Sequence, residues 1–283
     1  TVFNYPSGEM GILLDARDPH VARQNPQDYL DGLESIVKGA LEQAQAKIAG
    51  FDAAQVVGIG IDTTGSTPIP VNKDGTPLGL LPEFKSNLNA MVWLWKDHTG
   101  HAEAAEITKL GGEMRPNIMA KCGGIYSSEW FWSKILRLRR VDAKVFEAAF
   151  SFVEHCDWIP AVLTGNTDPL TLKRSVCAAG HKAMFSAEWG GLPDKEFLAK
   201  LDPKLADLRE RLYSEAHTAD TKAGGLCAEW AKRLGLKEGT AICVGAFDAH
   251  TGAVGAGIKE GTLVKILGTS TCDLMISPTS KPL

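Results

Sequence analysis

An aspartate and a glycine-threonine-serine turn carry the clearest chemistry in this chain. The run Gly245-Ala246-Phe247-Asp248-Ala249-His250 is followed, twenty residues after Asp248, by Gly268-Thr269-Ser270-Thr271. Asp248 comes just past a predicted strand over 241–245, where α/β sheets place ligand-contacting groups. A carboxylate there can take the proton of a hydroxyl as that hydroxyl attacks phosphorus. The turn Gly268-Thr269-Ser270 offers backbone N–H and hydroxyl donors without a bulky side chain, which suits phosphate oxygens. Taken alone, these residues allow a turn-capping role for Asp248 equally well.

Two familiar phosphate motifs are approached and not met. Residues 60–67 have the glycine spacing of a P-loop, but Ser66 stands where a lysine must reach the β- and γ-phosphates. Gly58-Ile59-Gly60 does not continue to a third glycine at the dinucleotide-binding spacing. The six cysteines (Cys122, Cys156, Cys177, Cys227, Cys243, Cys272) show no C-x-x-C spacing and read as buried thiols of a reducing compartment. His155 beside Cys156 is the only hint of a metal pair, and no metal site is expected.

Several elements must position these groups. Asn25-Pro26 opens a predicted helix with an N-cap and a proline at its first position. Tyr29, Leu33, Ile36, Val37, Ala40, Leu41 and Ala44 mark its buried face, and Gly50 ends it. Residues 55–61 read as a strand, and 68–78 as a hairpin with Asp74-Gly75 at its tip. The middle of the chain is helical and holds five of the seven tryptophans, from Trp93 to Trp158. Ser127 or Ser128 is expected to cap a helix burying Phe131, Ile135 and Leu138. A further helix runs from about 157 to 163 and stops at Gly165, and 193–236 read as more helices. Strand character returns at 241–245 and 262–267, around a glycine-rich segment at 252–261, and a last strand follows the Gly268 turn. Strands mixed with long helices indicate a layered α/β or α+β domain.

Bulk properties narrow the classes. The chain has 283 residues, 44% of them hydrophobic, a net charge of -4 and a pI near 6.0, as in an ordinary globular protein. The basic cluster at 137–140 reads as a solvated helix face, so no nucleic-acid partner is expected. There is no apolar run of membrane-spanning length and no signal-peptide pattern, so no membrane association and a cytoplasmic location are expected.

Several segments in order resemble one known family. Residues 245–257 and 263–272 look like the catalytic-aspartate and second phosphate-binding segments of FGGY carbohydrate kinases. Residues 58–81, the stretch Ala90-Met91-Val92-Trp93-Leu94-Trp95-Lys96-Asp97-His98, residues 124–130 and residues 177–182 resemble the L-ribulokinase branch of that family. The resemblance spans essentially the whole chain. It implies an α/β fold of the actin-like ATPase (ribonuclease H-like) kind in a two-domain sugar kinase. Residues 1–257 would form the N-terminal sugar-binding domain, without its first strands, and 258–283 the start of the nucleotide-binding domain.

The resemblance also implies roles. Asp248 would be the general base, and Lys182 would reach the bound ketose. Thr64 and Gly65 would face the sugar, Trp95 would wall it, and Asp97 would bind its hydroxyls. Gly268, Thr269 and Ser270 would contact phosphate. Asp62 is expected to be structural, and Trp93, Trp130 and Trp132 to lie in the core. ATP and Mg2+ are the implied cofactors, a small sugar the partner, and a homodimer is left open. FGGY kinases open with a glycine-rich strand-turn segment that this chain does not show, and their adenine-binding part is expected beyond Leu283. The activity is therefore expected of a longer protein rather than of this polypeptide alone. Two other readings use the same residues: an FGGY kinase for xylulose, D-ribulose or glycerol, or a non-catalytic sugar-binding remnant. An actin-like structural ATPase would share the fold, but it has no use for a pocket lined by tryptophan and lysine.

Overall fold

The computed structural model describes residues 1–268 and 271–278. The chain opens with an antiparallel ribbon of β1 (Leu13–Asp15) and β2 (Asp18–Gln24). Helix α1 (Pro26–Lys47) follows, and the Asn25 side chain accepts the Gln27 amide at 3.0 Å as the predicted cap. Tyr29, Leu33 and Val37 pack onto the core as the periodicity requires, whereas Ile36 turns toward solvent. The helix is capped at Ile48, two residues before the predicted stop at Gly50.

The strands that follow are short. They are β3 (Gly58–Ile59), β4 (Asp62–Thr63), β5 (Pro68–Val71) and β6 (Val92–Trp93), the last of which pairs with β2. The predicted hairpin over 68–78 forms only its tip. Asn72 Oδ1 accepts the amides of Asp74 and Thr76, both at 2.9 Å, and Gly75 takes φ 76°. The returning arm reaches Pro77, which has no N–H to extend the ladder, so the return is a single bridge to Val71. The fully buried β5 instead pairs antiparallel with β7 (Ser151–Glu154), beyond the helical middle of the chain.

That middle comprises α2 (His101–Met114), α3 (Pro116–Lys121), α4 (Phe131–Val141) and α5 (Ala143–Ala148). On α4, Phe131, Ile135 and Leu138 are buried as expected. The expected serine cap is corrected: the helix starts after Trp130 with no side-chain cap, and Ser127 Oγ accepts the Glu129 amide instead. The basic cluster is not merely solvated, because Arg137 and Arg140 pair with Glu103, Arg140 also pairs with Glu106, and Arg139 pairs with Asp202.

After β7 come α6 (His155–Thr164), ended by Gly165 at φ 73°, then α7 (Val176–Ala183), α8 (Lys195–Leu201) and α9 (Pro203–Arg209). Next are β8 (Lys222–Gly225), a strand within a stretch read as helical, and α10 (Ala228–Leu234). The chain then runs through β9 (Ala241–Cys243), β10 (Ala246–Phe247), α11 (Asp248–Gly255) and the ribbon β11 (Leu263–Leu267) with β12 (Thr271–Met275). β9 lies parallel to β3 and antiparallel to β8, and β10 lies parallel to β4.

Among the described residues, two large apolar cores form, with a small third cluster of Cys156, Ala178 and Phe247. One gathers Trp93 and Trp132 with Phe131, Phe146 and Phe197 among the helices. The other places Ile69, Val153 and Ile242 of the strands against Trp158 of α6 and Trp230 of α10. Among the described residues, no helix is long and apolar enough to cross a membrane.

His155 is buried in this second region. Its ring stacks on Tyr29 with centroids 3.8 Å apart, and its Nδ1 has no hydrogen-bond partner. Burial pulls its pKa from 6.5 down to about 3. A depressed folded value means that the unfolded chain binds the proton first as pH falls. This contribution to stability is therefore complete above about pH 6.5 and is lost progressively toward pH 3. Urea unfolding at pH 7 and pH 5 should show His155→Phe losing less stability on acidification than the parent, with up to about one fewer proton taken up on unfolding.

Candidate active site

The candidate site begins with a strand pairing. β4 and β10 run parallel, Asp62 opposite Ala246 and Thr63 opposite Phe247. The residues after each strand therefore emerge at the same sheet end, Thr64 and Gly65 from one and Asp248 from the other. Close packing enforces this. A side chain on Gly245 would put its Cβ 2.0 Å from the Cys156 carbonyl oxygen, so only glycine lets β10 pass α6 this closely. A Cβ on Gly65 would lie 3.3 Å from the Phe247 ring.

Around that junction is a cleft of about 420 Å³ lined by Thr64, Gly65, Trp95, Lys182, Asp248 and Gly268, joined by Glu129, His181, Phe247, His250, Ile266, Thr271 and Cys272. Six of the sequence-predicted residues are thus brought together. Thr269 and Ser270 lie outside the described residues, between Gly268 and Thr271.

Asp248 begins α11 with an exposed carboxylate whose Oδ1 accepts the Ala249 amide at 2.7 Å. Asp62, expected to be structural, has its carboxylate tied to the same helix: Thr251 Oγ1 donates to Asp62 Oδ2 at 2.9 Å. Lys182 stands near the end of α7, past a kink at Gly180. Its Nζ lies 5.5 Å from the Phe247 ring centroid and 5.8 Å from that of Trp130, within cation–π range. Burial lowers the pKa of this ammonium, while the charge of Glu154 acts in the opposite sense. The backbone under it is anchored, because the Tyr126 hydroxyl donates to the Lys182 carbonyl and Trp132 Nε1 donates to the Ala183 carbonyl at 2.9 Å. Trp93 and Trp132 are buried as expected, while Trp130 is only partly buried beside Lys182.

Asp97 is not among the residues that line the cleft. It was expected to bind sugar hydroxyls, yet its side chain is wholly buried. Oδ2 accepts the Ala22 amide at 2.8 Å and pairs with Arg23, and Oδ1 accepts the Thr99 amide at 3.2 Å and the Thr99 hydroxyl at 2.6 Å. With its oxygens so engaged, it staples β2 to the turn that presents Trp95.

Sequence reading missed a buried pair behind the cleft. Lys134 of α4 donates to the Ser66 and Leu94 carbonyls, and Glu154 Oε2 accepts the Thr67 amide at 2.6 Å. Burial pushes the Glu154 carboxyl up to about 7 and holds the Lys134 ammonium well below its usual range. The signal was present for Lys134, which stands three residues after Phe131 on the face that buries Ile135 and Leu138. His250, two residues past Asp248, and Glu129 carried no comparable signal. Among the described residues, no group of three or more His, Cys, Asp or Glu converges as a metal cage.

Comparison with known proteins follows this geometry. Residues 7–255 match the family described as "FGGY family of carbohydrate kinases, N-terminal domain". A ribulokinase of Vibrio parahaemolyticus is 49% identical over 255 residues, covering 90% of this chain and 44% of the relative. One of Shouchella clausii is 42% identical over 262 residues, covering 92% and 45%. The chain thus spans about half the length of the curated relatives it matches. A xylulose kinase from Rhodospirillum rubrum superposes with a TM-score of 0.73 at 18% identity, over 96% of this chain and 50% of that one. Plasmodium falciparum glycerol kinase, solved with ADP, gives 0.69 at 14% identity, over 92% and 47%. The fold is therefore that of the actin-like sugar kinases, as the resemblance implied, and the chain belongs to the FGGY family of carbohydrate kinases.

Proposed function

We propose that this protein transfers the γ-phosphoryl group of ATP to the terminal hydroxyl of L-ribulose, giving L-ribulose 5-phosphate and ADP. One observation carries the reading: an exposed carboxylate, Asp248, and the Thr64-Gly65 turn follow two paired parallel strands and line one cleft with Lys182 and Trp95. Asp248 accepts the hydroxyl proton as the sugar oxygen bonds to phosphorus and the bond to the ADP oxygen breaks. Lys182 donates to a sugar oxygen, the Trp95 face covers apolar sugar carbons, and the small Gly65 leaves room for the ligand. Gly268, with Thr269 and Ser270, cradles phosphate, and Mg2+ enters with the nucleotide. Residues 1–257 form the sugar-binding part, and 258–283 begin the nucleotide-binding domain. The choice of L-ribulose is supported by the ribulokinases among the relatives.

The test is ADP release by the complete protein with Mg-ATP and L-ribulose, xylulose, D-ribulose or glycerol. The kcat/KM for L-ribulose should exceed the others by about tenfold or more. Preference for another of the four would replace the substrate and keep the kinase. Absence of sugar-dependent release from folded protein would sink the kinase reading in favour of a non-catalytic sugar binder.

A further inference from the structure

Two chain segments bring the sugar end of the cleft its walls, and one buried lysine holds both. Lys134 is 1% exposed. Its Nζ donates to the Ser66 carbonyl at 2.6 Å and to the Leu94 carbonyl at 2.8 Å, with the Trp95 carbonyl at 3.5 Å. Ser66 takes φ 44°, a left-handed conformation that a non-glycine residue adopts only when its surroundings hold it there. Those surroundings grip the turn from both directions, the Ser66 carbonyl by Lys134 and the next amide, that of Thr67, by Glu154 at 2.6 Å. Thr67 Oγ1 in turn donates to the Gly65 carbonyl at 3.1 Å and lies 3.3 Å from Thr64 Oγ1. On the other side, the Leu94 carbonyl also accepts the Asp97 amide at 2.9 Å, closing the turn on which Trp95 stands.

We propose that Lys134 is a positioning residue that couples the Thr64-Gly65 turn to the Trp95 wall and so sets the affinity of the cleft for its sugar. The proposal rests on the functional reading above for the identity of that sugar. An ammonium suits the place because it offers several donors from one atom to carbonyls of separate segments. An apolar replacement leaves the buried Ser66 carbonyl without its donor and the Leu94 carbonyl with the Asp97 amide alone, and the left-handed turn then loses one of its two anchors. Asp248 stands on another segment and keeps its own hydrogen bond, so loss of Lys134 should weaken ground-state sugar binding more than the chemical step.

The test compares Lys134→Met with the parent, and adds Lys134→Met/Glu154→Gln in case the single variant folds poorly with Glu154 left alone. Gln retains an acceptor for the Thr67 amide. Hydrogen exchange of residues 62–68 should quicken by about tenfold or more while that of β9 stays within about threefold. Acrylamide quenching of Trp95, taken as the difference from a Trp95→Phe background, should rise by about twofold or more, as expected of a wall released from its anchor. In the complete protein, the KM for L-ribulose should rise by about tenfold or more, with kcat within about threefold. Exchange that quickens equally throughout, or an unchanged KM with unchanged Trp95 quenching, would reduce Lys134 to a core residue and overturn the proposal. If the parent neither binds nor phosphorylates L-ribulose, the functional reading fails, and the exchange and quenching arms still decide the coupling of the two walls.

Discussion

Asp248→Asn in the complete protein is expected to cut kcat for L-ribulose phosphorylation by about two to four orders of magnitude, the range a positioned general base contributes. The substitution isolates the proton-accepting role. The carboxylate is exposed and makes one local hydrogen bond, to the Ala249 amide at 2.7 Å, which an asparagine oxygen can also accept. The start of α11 should therefore survive, and thermal unfolding of the variant should match the parent within about a degree or two, as for other surface changes. Sugar affinity should change little, because Thr64, Gly65, Trp95 and Lys182 remain in place around the cleft. A steady-state assay with saturating Mg-ATP measures the loss directly. A variant retaining more than about a third of parental kcat would place the base elsewhere and leave Asp248 the turn-capping role that its residue type also allows.

The neighbourhood of Asp248 was legible in the sequence because its signals are local. A strand, a glycine that admits close packing and an acidic residue at the strand end sit within a few positions of one another. What the sequence could not show is why Thr64 and Gly65 stand beside it. The pairing of β4 with β10 joins two-residue strands at 62–63 and 246–247, far apart in the chain and too short for any periodicity to register. The 68–78 hairpin misled for the opposite reason: a strong local turn formed, but Pro77 denied the return arm its ladder and a distant strand supplied the partner. Lys134 was readable from helical spacing as a buried position, but its carbonyl partners on two remote turns were not. The burial of Asp97 was not readable because an aspartate two residues from a tryptophan looks the same in a sugar pocket and in an internal staple. The residue that distinguishes them, Arg23, lies far earlier in the chain.

That staple supports the second large expectation: Asp97→Asn should destabilise the fold by about 3–5 kcal/mol, the usual cost of removing one partner from a buried ion pair. Both side chains are essentially excluded from solvent, and the Arg23 guanidinium carbon lies 3.3 Å from the Trp93 ring centroid. Asparagine keeps an oxygen for Thr99 or for the Ala22 amide but leaves the guanidinium charged in the core without its counterion. Urea unfolding at neutral pH measures the loss. Arg23→Met/Asp97→Asn should recover a substantial part of it, since the stranded charge is then gone, so the two substitutions should be strongly non-additive. The same variants separate a structural aspartate from a sugar-binding one. If Asp97 acts only through the staple, the folded fraction of Asp97→Asn binds L-ribulose within about threefold of the parent, the modest change expected when no direct ligand contact is lost. Full stability combined with lost sugar affinity would instead return Asp97 to the cleft, and would require the Leu94–Asp97 turn to open so that the carboxylate can leave Arg23.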